Sequence, residues 1–424
     1  MTLIGTDQLA AQTLRTLYSF TGDNGSKYPE AGLIISGDTL YGTTMGQDLS
    51  SWGTAFAVNI DGTDFTNLYS FTDGSDGAYP VCNLFLSGKS LYGTTEGAAS
   101  SSMGTVFTIN TNGSGFSTLY GFTGDQIFPV GGVVCSGNRL FGTAEYQNGG
   151  GSIYAVNTNG TDFNTLYSFP ASDFNYCYLS GLILSGNTLY GQMVVSDTNT
   201  VFSINTNGTD FTNLYSFICG GASIYSVANL ILSGDTLYGT SYYGGANLNG
   251  SLFSIKTNGI GFTTLYSFTG GSDGAEPSGN LALSGNTIYG TTVSGGNFGA
   301  GTAFSINTNG TGFTTLYSFT GGNDGSTPAG GLVLSSNTLY GTTYIGGTYG
   351  YGTVFSIIPS LTLKIATFGT QSILFWPASA TNYVLQTTTN LSSSNWITIS
   401  NGISVIAVTL TNNSTAAYFR LHQQ

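Results

Sequence analysis

Four glutamates are the residues of this sequence best suited to acid–base chemistry. Glu30, Glu96, Glu145 and Glu276 lie in separate segments, whereas the single histidine, His422, is two residues from the C-terminus. Two carboxyl groups about 5 to 9 Å apart are sufficient to hydrolyse a glycosidic bond. The sequence therefore permits a glycoside hydrolase that uses two of these glutamates, and it excludes a Ser-His-Asp triad or a histidine-bound zinc ion in the preceding segments.

Aspartates followed by glycine form a second candidate site. The candidates are Asp73, Asp76, Asp273 and Asp324. The string DGSDG at 73–77 partly matches a calcium-binding loop but lacks its closing glutamate. An Asp before Gly also stabilises a tight turn without any metal. Calcium at these aspartates is one expectation and metal-free turns are the alternative, and we expect no other cofactor.

Aromatic residues in the variable segments are suited to bind carbohydrate. We select Trp52, Tyr79, Tyr146, Tyr243 and Tyr344 as candidate ligand-binding residues. Aromatic rings cover the apolar face of a sugar, while nearby acids and amides bind its hydroxyl groups. Most of the 20 acidic residues also fall in these segments, where Lys27 is the only cation. Such a surface repels anionic ligands.

Charge and composition exclude other classes of protein. The chain has 424 residues, 7 Lys plus Arg and a formal charge of −13. A nucleic-acid-binding protein needs a basic surface, so we expect no nucleic-acid partner. No apolar run is long enough for a membrane helix. A composition poor in lysine and rich in Thr, Ser, Asn and Gly is typical of secreted bacterial proteins, so we expect an extracellular location.

The elements that position these residues follow from a sequence repeat. The string LYSF or a close variant begins seven times, at Leu17, Leu68, Leu119, Leu166, Leu214, Leu265 and Leu316. Each complete copy of about 50 residues contains four strand-like segments, as at 279–284, 287–292, 301–307 and 313–319. Tight turns such as Gly285-Asn286 and Asn309-Gly310 join them in pairs. Seven copies of four antiparallel strands predict a seven-bladed β-propeller over residues 13–358.

The two ends of the repeat region predict how the ring closes. The seventh copy supplies only three strands before Pro359, and the N-terminal segment at 13–20 supplies one unpaired strand. We expect the first strand to complete the last blade, because this pairing removes exposed sheet edges. Residues 1–12 form a tail outside the propeller. The hairpin turns then share one face of the disc, and the longer loops share the other, which we call the loop face.

The recurring strings resemble a known family. The strings LYSF, GGLxLSGNTLYGTT and GTVFSINTNGT are similar to the GloVer-type tandem repeats of secreted bacterial proteins. The resemblance covers residues 13–358 and implies export and a propeller fold. It implies no catalytic residue, because the matching strings belong to the scaffold.

Residues 359–424 lack the repeat and contain short strand-like segments. Trp376, Tyr383, Trp396 and the closing Tyr418-Phe419-Arg420-Leu421 are similar to immunoglobulin-like or fibronectin type III-like modules. This similarity predicts a small C-terminal β-sandwich without a disulfide. The four cysteines, Cys82, Cys135, Cys177 and Cys219, all lie in the propeller region, where we expect buried thiols but the sequence leaves their pairing open.

Three functions remain open from the sequence. The first is a secreted, non-catalytic binding protein that recognises a glycan or a cell-surface partner on the loop face. The second is the glycoside hydrolase described above. The third is a structural matrix or filament protein, for which homotypic assembly would replace the monomer that we otherwise expect.

Overall fold

The computed structural model describes residues 14–46, 51–97, 103–123, 127–146, 149–170, 177–219 and 228–359, with six further strands between residues 364 and 423. Within residues 14–359 the strands form seven antiparallel sheets, six of them built from one sequence copy each and the seventh from the last copy together with the N-terminal strand. The predicted seven-bladed propeller is therefore confirmed. The predicted N-terminal tail at 1–12 lies outside the described residues.

The strand bounds follow the repeat. Blade 1 contains Ile34–Ser36, Thr39–Thr44, Thr54–Asn59 and Thr66–Ser70; blade 2 contains Phe85–Ser87, Ser90–Gly97, Met103–Asn110 and Ser117–Gly121; blade 3 contains Ile127–Phe128, Val134–Ser136, Arg139–Tyr146, Gly151–Asn157 and Asn164–Phe169; blade 4 contains Cys177–Leu179, Ile183–Ser185, Thr188–Val195, Thr198–Asn205 and Thr212–Ile218. Blade 5 contains Ile231–Ser233, Thr236–Ser241, Ser251–Lys256 and Thr263–Ser267; blade 6 contains Ala275–Ser284, Thr287–Ser294, Thr302–Asn307 and Thr314–Ser318; blade 7 contains Leu332–Ser335, Thr338–Thr343 and Thr353–Ile357.

The N-terminal strand closes the ring as predicted. Leu14–Ser19 pairs with Thr353–Ile357 and becomes the fourth strand of blade 7. The amide of Phe20 extends this pairing by donating to the carbonyl of Gly352 at 3.1 Å. Between this strand and blade 1 lies a single 3₁₀ turn, Asp23–Gly25. The closure covers the edge that the last blade would otherwise expose.

The hairpin turns have the backbone geometry that their residues predict. The first residue of the turn between strands one and two has a positive φ in every blade, including Gly285 at 54° and Ser336 at 55°. In the turn between strands three and four, the Asn309 Oδ1 accepts hydrogen bonds from the Thr311 amide at 3.1 Å and hydroxyl at 2.7 Å. The first turn therefore needs a residue that adopts the αL conformation, and the second needs a short polar side chain. These requirements explain why the turn strings recur.

Aromatic layers hold neighbouring blades together. The tyrosine of six of the seven LYSF-type strings stacks on a phenylalanine of the next blade, as in Tyr69 with Phe116 at 3.7 Å and Tyr266 with Phe313 at 3.9 Å between ring centroids. Within each blade, a buried Phe or Tyr on the third strand lies opposite a glycine on the second, as in the register pair Gly290 and Phe304. The apolar residues of the LYSF and LYGT strings are thus used for packing between blades.

The C-terminal part contains two three-stranded antiparallel sheets. One is formed by Lys364–Phe368, Gln371–Phe375 and Ala407–Thr411, and the other by Tyr383–Thr388, Ile397–Thr398 and Tyr418–Gln423. The predicted β-sandwich stays a prediction, because much of residues 359–424, including Trp376 and Trp396, lies outside the described residues. No helix within the described residues is long and apolar enough to cross a bilayer.

Candidate functional site in the central cavity

The innermost strand is interrupted in blades 3, 4 and 6, close to the centre of the ring. In blade 3 the strand splits into Ile127–Phe128 and Val134–Ser136, which both pair with the second strand. In blade 6 the pairing slips between Ser278 and Ala282. The residues at these breaks line a cavity of about 660 Å³. Its size lies in the range of small-molecule sites.

Two sets of equivalent residues form much of the cavity wall. The first ring, one residue from the equivalent position at or before the innermost strand of each blade, consists of Glu30, Val81, Val130, Leu179, Ser278 and Ala329, and its blade 5 member lies outside the described residues. The second ring lies at or just beyond the loop-face end of each second strand and consists of Met45, Glu96, Glu145, Val194, Tyr242, Val293 and Tyr344. All members of the second ring except Val194 line the cavity.

The residue types in the two rings differ from blade to blade, although the neighbouring residues repeat. The second-ring residue follows a Tyr-Gly-Thr-like string in most copies, yet it is acidic, aromatic, branched or a methionine depending on the blade. The repeat of the scaffold therefore does not by itself set these residue types. A surface that varies on an otherwise repeating scaffold is typical of a site shaped for a ligand.

Three of the four glutamates lie together on one wall of the cavity. Glu30, Glu96 and Glu145 come from blades 1, 2 and 3 and are partly buried. Burial raises the pKa of Glu30 to about 7, and the charge of Glu96 adds to the rise. Burial also raises the pKa of Glu96. Since no Lys, Arg or His occurs among the residues that line the described cavity, no cationic side chain on its wall opposes these shifts.

Glu145 is tied to the adjacent blade. Its Oε1 accepts a hydrogen bond from the Leu179 amide at 2.7 Å. Burial raises the pKa of Glu145 to about 8, the Leu179 hydrogen bond opposes the rise, and the charge of Glu96 adds to it. At neutral pH this carboxyl group is therefore mostly protonated and has a proton to donate.

Tyrosines from blades 4, 5 and 7 form another part of the wall. Tyr178, Tyr242, Tyr243 and Tyr344 line the cavity. The rings of Tyr242 and Tyr243 meet edge to face at 4.9 Å, and the Tyr344 ring lies 5.3 Å from that of Tyr28. The cavity thus has carboxyl groups from blades 1 to 3 and aromatic rings from later blades.

Glu276 does not line the cavity, but it contacts a residue that does. Its Oε2 accepts hydrogen bonds from the Tyr242 hydroxyl at 3.2 Å and from the Ser294 hydroxyl at 2.8 Å. Burial raises the pKa of Tyr242, and the charge of Glu276 raises it further. Because the Tyr242 proton points to Glu276, the hydroxyl oxygen keeps its lone pairs for another donor.

The five aromatic residues selected from the sequence have different environments. Tyr243 and Tyr344 line the central cavity. Trp52 and Tyr79 contact each other between blades 1 and 2, with ring centroids 5.7 Å apart and a hydrogen bond of 2.9 Å from the Tyr79 amide to the Trp52 carbonyl. Tyr146 lines a second cavity of about 220 Å³, together with Tyr120 and Phe163. The structure brings only the first two to the glutamates.

The candidate calcium ligands are used in closing their own loops. The two carboxylate oxygens of Asp76 accept hydrogen bonds from the Thr72 amide at 2.8 Å, the Thr72 hydroxyl at 2.7 Å and the Tyr69 hydroxyl at 3.1 Å. Asp273 and Asp324 make the same contacts with the threonine and tyrosine of their loops. Asp73 has a positive φ of 63°. The described residues contain no cluster of three acidic, Cys or His residues arranged to hold a metal ion.

The sequence profile of the Gloeobacter/Verrucomicrobia repeat matches residues 6–200 and 192–379. The chain belongs to the Gloeobacter/Verrucomicrobia repeat family. The predicted GloVer resemblance is thereby confirmed for the repeat region. No curated protein matches the sequence.

Solved propellers resemble this member of the Gloeobacter/Verrucomicrobia repeat family at low identity. An oligogalacturonate lyase in complex with manganese aligns with a TM-score of 0.53 and 11% identity, over 82% of this chain and 93% of the other. The oligogalacturonate lyase of Vibrio parahaemolyticus gives 0.54 and 10%, over 83% and 95%. The periplasmic gluconolactonase of Pseudomonas aeruginosa gives 0.50 and 16%, over 70% and 86%. At these identities the likeness shows the fold alone.

Several cavity residues of this Gloeobacter/Verrucomicrobia repeat protein were not selected from the sequence. They include Met45, Asn83, Tyr178, Asn229 and Asn280. The three asparagines occupy one position of the repeat that is glycine in the other four copies, and Asn83 Oδ1 accepts a hydrogen bond from the Gly32 amide at 2.5 Å. Aligning the seven copies and marking the positions that differ would have identified these residues.

Proposed function

We propose that this protein is a non-catalytic binding protein that takes a carbohydrate into its central cavity. The observation that carries the proposal is the composition of the two rings, which place Glu30, Glu96 and Glu145 in one cavity with Tyr242 and Tyr344. Carboxyl groups exchange hydrogen bonds with sugar hydroxyls, and aromatic rings cover the apolar face of a sugar ring. The cavity, rather than the whole loop face, is the binding site in this proposal.

The charge of the wall restricts the ligand. Uronates and sugar phosphates need a cationic partner, and no Lys, Arg or His occurs among the described residues that line the cavity. An anion bound beside the three glutamates would also be repelled by their negative charge when they are ionised. The proposal is therefore confined to sugars without acidic groups. We further propose that the protein acts outside the bacterial cell, on the basis of its lysine-poor, Thr- and Asn-rich composition.

Binding is favoured over hydrolysis because of the ionisation of the glutamates. A glycosidase needs one carboxylate ionised while the other is protonated. Burial raises the pKa of all three cavity glutamates, and no cationic side chain among the described lining residues holds one of them ionised. A carboxyl group that keeps its proton binds hydroxyls well and is a poor nucleophile.

A glycan array followed by calorimetry tests the proposal. We expect the protein to bind sugars without acidic groups, and the variant Tyr344→Ala to lose about tenfold or more in affinity, because it removes an aromatic face from the cavity. Phe298→Ser is the matched control, since Phe298 is 64% exposed and does not line the cavity. Absence of sugar binding, or equal effects of the two variants, would contradict the proposal.

The second candidate is a glycoside hydrolase, which one observation favours. The charge of Glu96 raises the pKa of both Glu30 and Glu145, so the three carboxyl groups act on one another across the cavity. Release of reducing sugar from a panel of neutral polysaccharides tests this candidate. Activity that is lost in both Glu96→Gln and Glu145→Gln would establish hydrolysis, and absence of sugar release from every polymer would exclude it.

Calcium binding at Asp73, Asp76, Asp273 and Asp324 stays a separate prediction. A bound ion would stabilise the folded state in proportion to its occupancy. Thermal unfolding with calcium and with a chelator tests this prediction, and Asp273→Asn with Asp324→Asn serves as the variant. An unfolding temperature that does not respond to calcium in the wild-type protein would exclude the metal.

A further inference from the structure

The electrostatic environment of the cavity identifies a more specific ligand, and this inference depends on the carbohydrate-binding function proposed above. Three glutamates from blades 1 to 3 line one cavity with no Lys, Arg or His among its described lining residues. A fourth glutamate, Glu276, lies behind Tyr242 and accepts the proton of its hydroxyl group. Acidic groups are therefore present in several blades around the cavity, without a cationic side chain among the described residues that line it.

The tyrosines complete an environment for a positive charge. Tyr242 and Tyr243 meet edge to face, and Tyr178 and Tyr344 line the same cavity. The face of an aromatic ring attracts a cation, and the attraction is stronger in a partly desolvated site. The Tyr242 hydroxyl oxygen, whose proton is donated to Glu276, is an acceptor for an N–H group. Carboxylates, ring faces and a hydroxyl acceptor are the partners that an ammonium group requires.

We propose that the cavity selects a sugar carrying a free amino group, bound as the ammonium ion, over the N-acetylated or unsubstituted form of the same sugar. The ammonium group lies among the glutamates of blades 1 to 3, and the sugar ring contacts the tyrosines. N-acetylation removes the charge and adds bulk, and a hydroxyl in place of the amine leaves the carboxyl groups without a counter-ion. Selectivity therefore comes from the charge of the ligand.

Binding of a cationic ligand should release protons from the cavity glutamates. An ammonium group beside the glutamates favours their ionised forms and lowers their pKa values, which stand at about 7 for Glu30 and about 8 for Glu145. At pH 6.5 both carboxyl groups are mostly protonated before binding, and an amine with a pKa of about 8 already carries its charge. The ligand therefore releases protons from the protein. Burial raises the pKa of the nearby Cys82 and Cys177 thiols to about 12, so these groups stay protonated throughout.

Isothermal titration calorimetry at pH 6.5 tests the proposal with three matched disaccharides: β-1,4-linked diglucosamine, its di-N-acetylated form and cellobiose. Each is measured in two buffers with different enthalpies of ionisation, which reports the number of protons exchanged. We expect diglucosamine to bind about tenfold or more tightly than the other two and to release protons. We expect Glu96→Gln and Glu145→Gln to remove most of this preference, whereas Phe298→Ser retains it.

The outcomes separate this inference from the function on which it rests. Equal or tighter binding of the N-acetylated or unsubstituted disaccharide overturns the ligand class but leaves the carbohydrate-binding function in place. Binding of diglucosamine without proton release overturns the position of the ammonium group beside the glutamates. If none of these sugars and no sugar on the array binds, both proposals fail.

Discussion

The hydroxyl group of Tyr154 is fully buried against Gly142 and has no hydrogen-bond partner within the described part of the chain. The other six blades have phenylalanine at this position of the third strand. A buried hydroxyl without a partner destabilises the folded state, because water hydrogen-bonds to it in the unfolded state. Blade 3 therefore departs from its six neighbours at a cost in stability.

Replacing this tyrosine by phenylalanine should stabilise the protein. We expect Tyr154→Phe to increase the free energy of unfolding by about 1 to 2 kcal/mol, because it removes an unsatisfied polar group from a site that accommodates phenylalanine in the other blades. Denaturant unfolding measures the change. The reverse substitution in the next blade, Phe202→Tyr, is the matched control and should destabilise. A loss of stability in Tyr154→Phe would show that the hydroxyl has a partner.

The glycine opposite each third-strand ring should be intolerant of a larger residue. A Cβ on Gly290 would lie 2.6 Å from Cζ of Phe304 and 2.8 Å from Cδ2 of Leu281. We expect Gly290→Ala to cost about 1 to 3 kcal/mol, since the ring must move within a close-packed layer. Gly285→Ala is the comparison variant. Gly285 has a φ of 54° and open space around it, so a Cβ there strains the backbone without overlapping other atoms. If Gly290→Ala unfolds at the same denaturant concentration as the wild-type protein, the packing argument is wrong.

Stability should fall as the pH rises from about 4.5 to about 8. Glu145 has a pKa of about 8 in the folded protein and 4.5 ordinarily, so the unfolded chain loses its proton first. Between these values, ionisation favours the unfolded state, and above the folded pKa the dependence levels off. We expect the unfolding temperature to decrease across this range in the wild type and to decrease less in Glu145→Gln.

An exposed carboxyl group supplies the control for this pH dependence. Hydrogen bonds and the charge of Lys256 lower the pKa of Asp235, so Asp235→Asn should leave the slope between pH 5 and 9 unchanged. Differential scanning calorimetry at one-unit pH steps measures all three proteins. A wild-type unfolding temperature that stays constant from pH 5 to 9 would show that the cavity glutamates titrate normally.

The closing strand should be needed for a monomeric propeller. Phe20 is fully buried, and its ring meets that of Phe56 at 5.2 Å. We expect deletion of residues 1–20 to expose Thr353–Ile357 as a sheet edge and to cause aggregation. Deletion of residues 1–12 is the control and should leave the monomer intact. Size-exclusion chromatography distinguishes the two, and a monomeric, folded protein lacking residues 1–20 would contradict the closure argument.

The sequence predicted the scaffold because the scaffold repeats. The seven LYSF-type strings predicted the number of blades, Gly285 and Asn309 predicted the turns, and the unpaired segment at 13–20 predicted how the ring closes. The cavity was harder to predict, because its wall combines residues of all seven blades, which meet only when the ring closes. Glu30 and Glu145 belong to different strand positions and come together only when the ring forms. The sequence suggested Trp52 and Tyr79 as ligand-binding residues, but in the structure they contact each other between blades 1 and 2.

The two rings have a practical consequence for protein engineering. All described members except Val194 line the central cavity, and the stacked aromatic layers between the blades are formed by other residues. A combinatorial library that randomises the cavity-lining positions other than the buried Leu179 would therefore vary the recognition surface while leaving the stacked aromatic layers unchanged. The same propeller scaffold would then carry artificial binding sites, each with its own set of cavity-lining side chains.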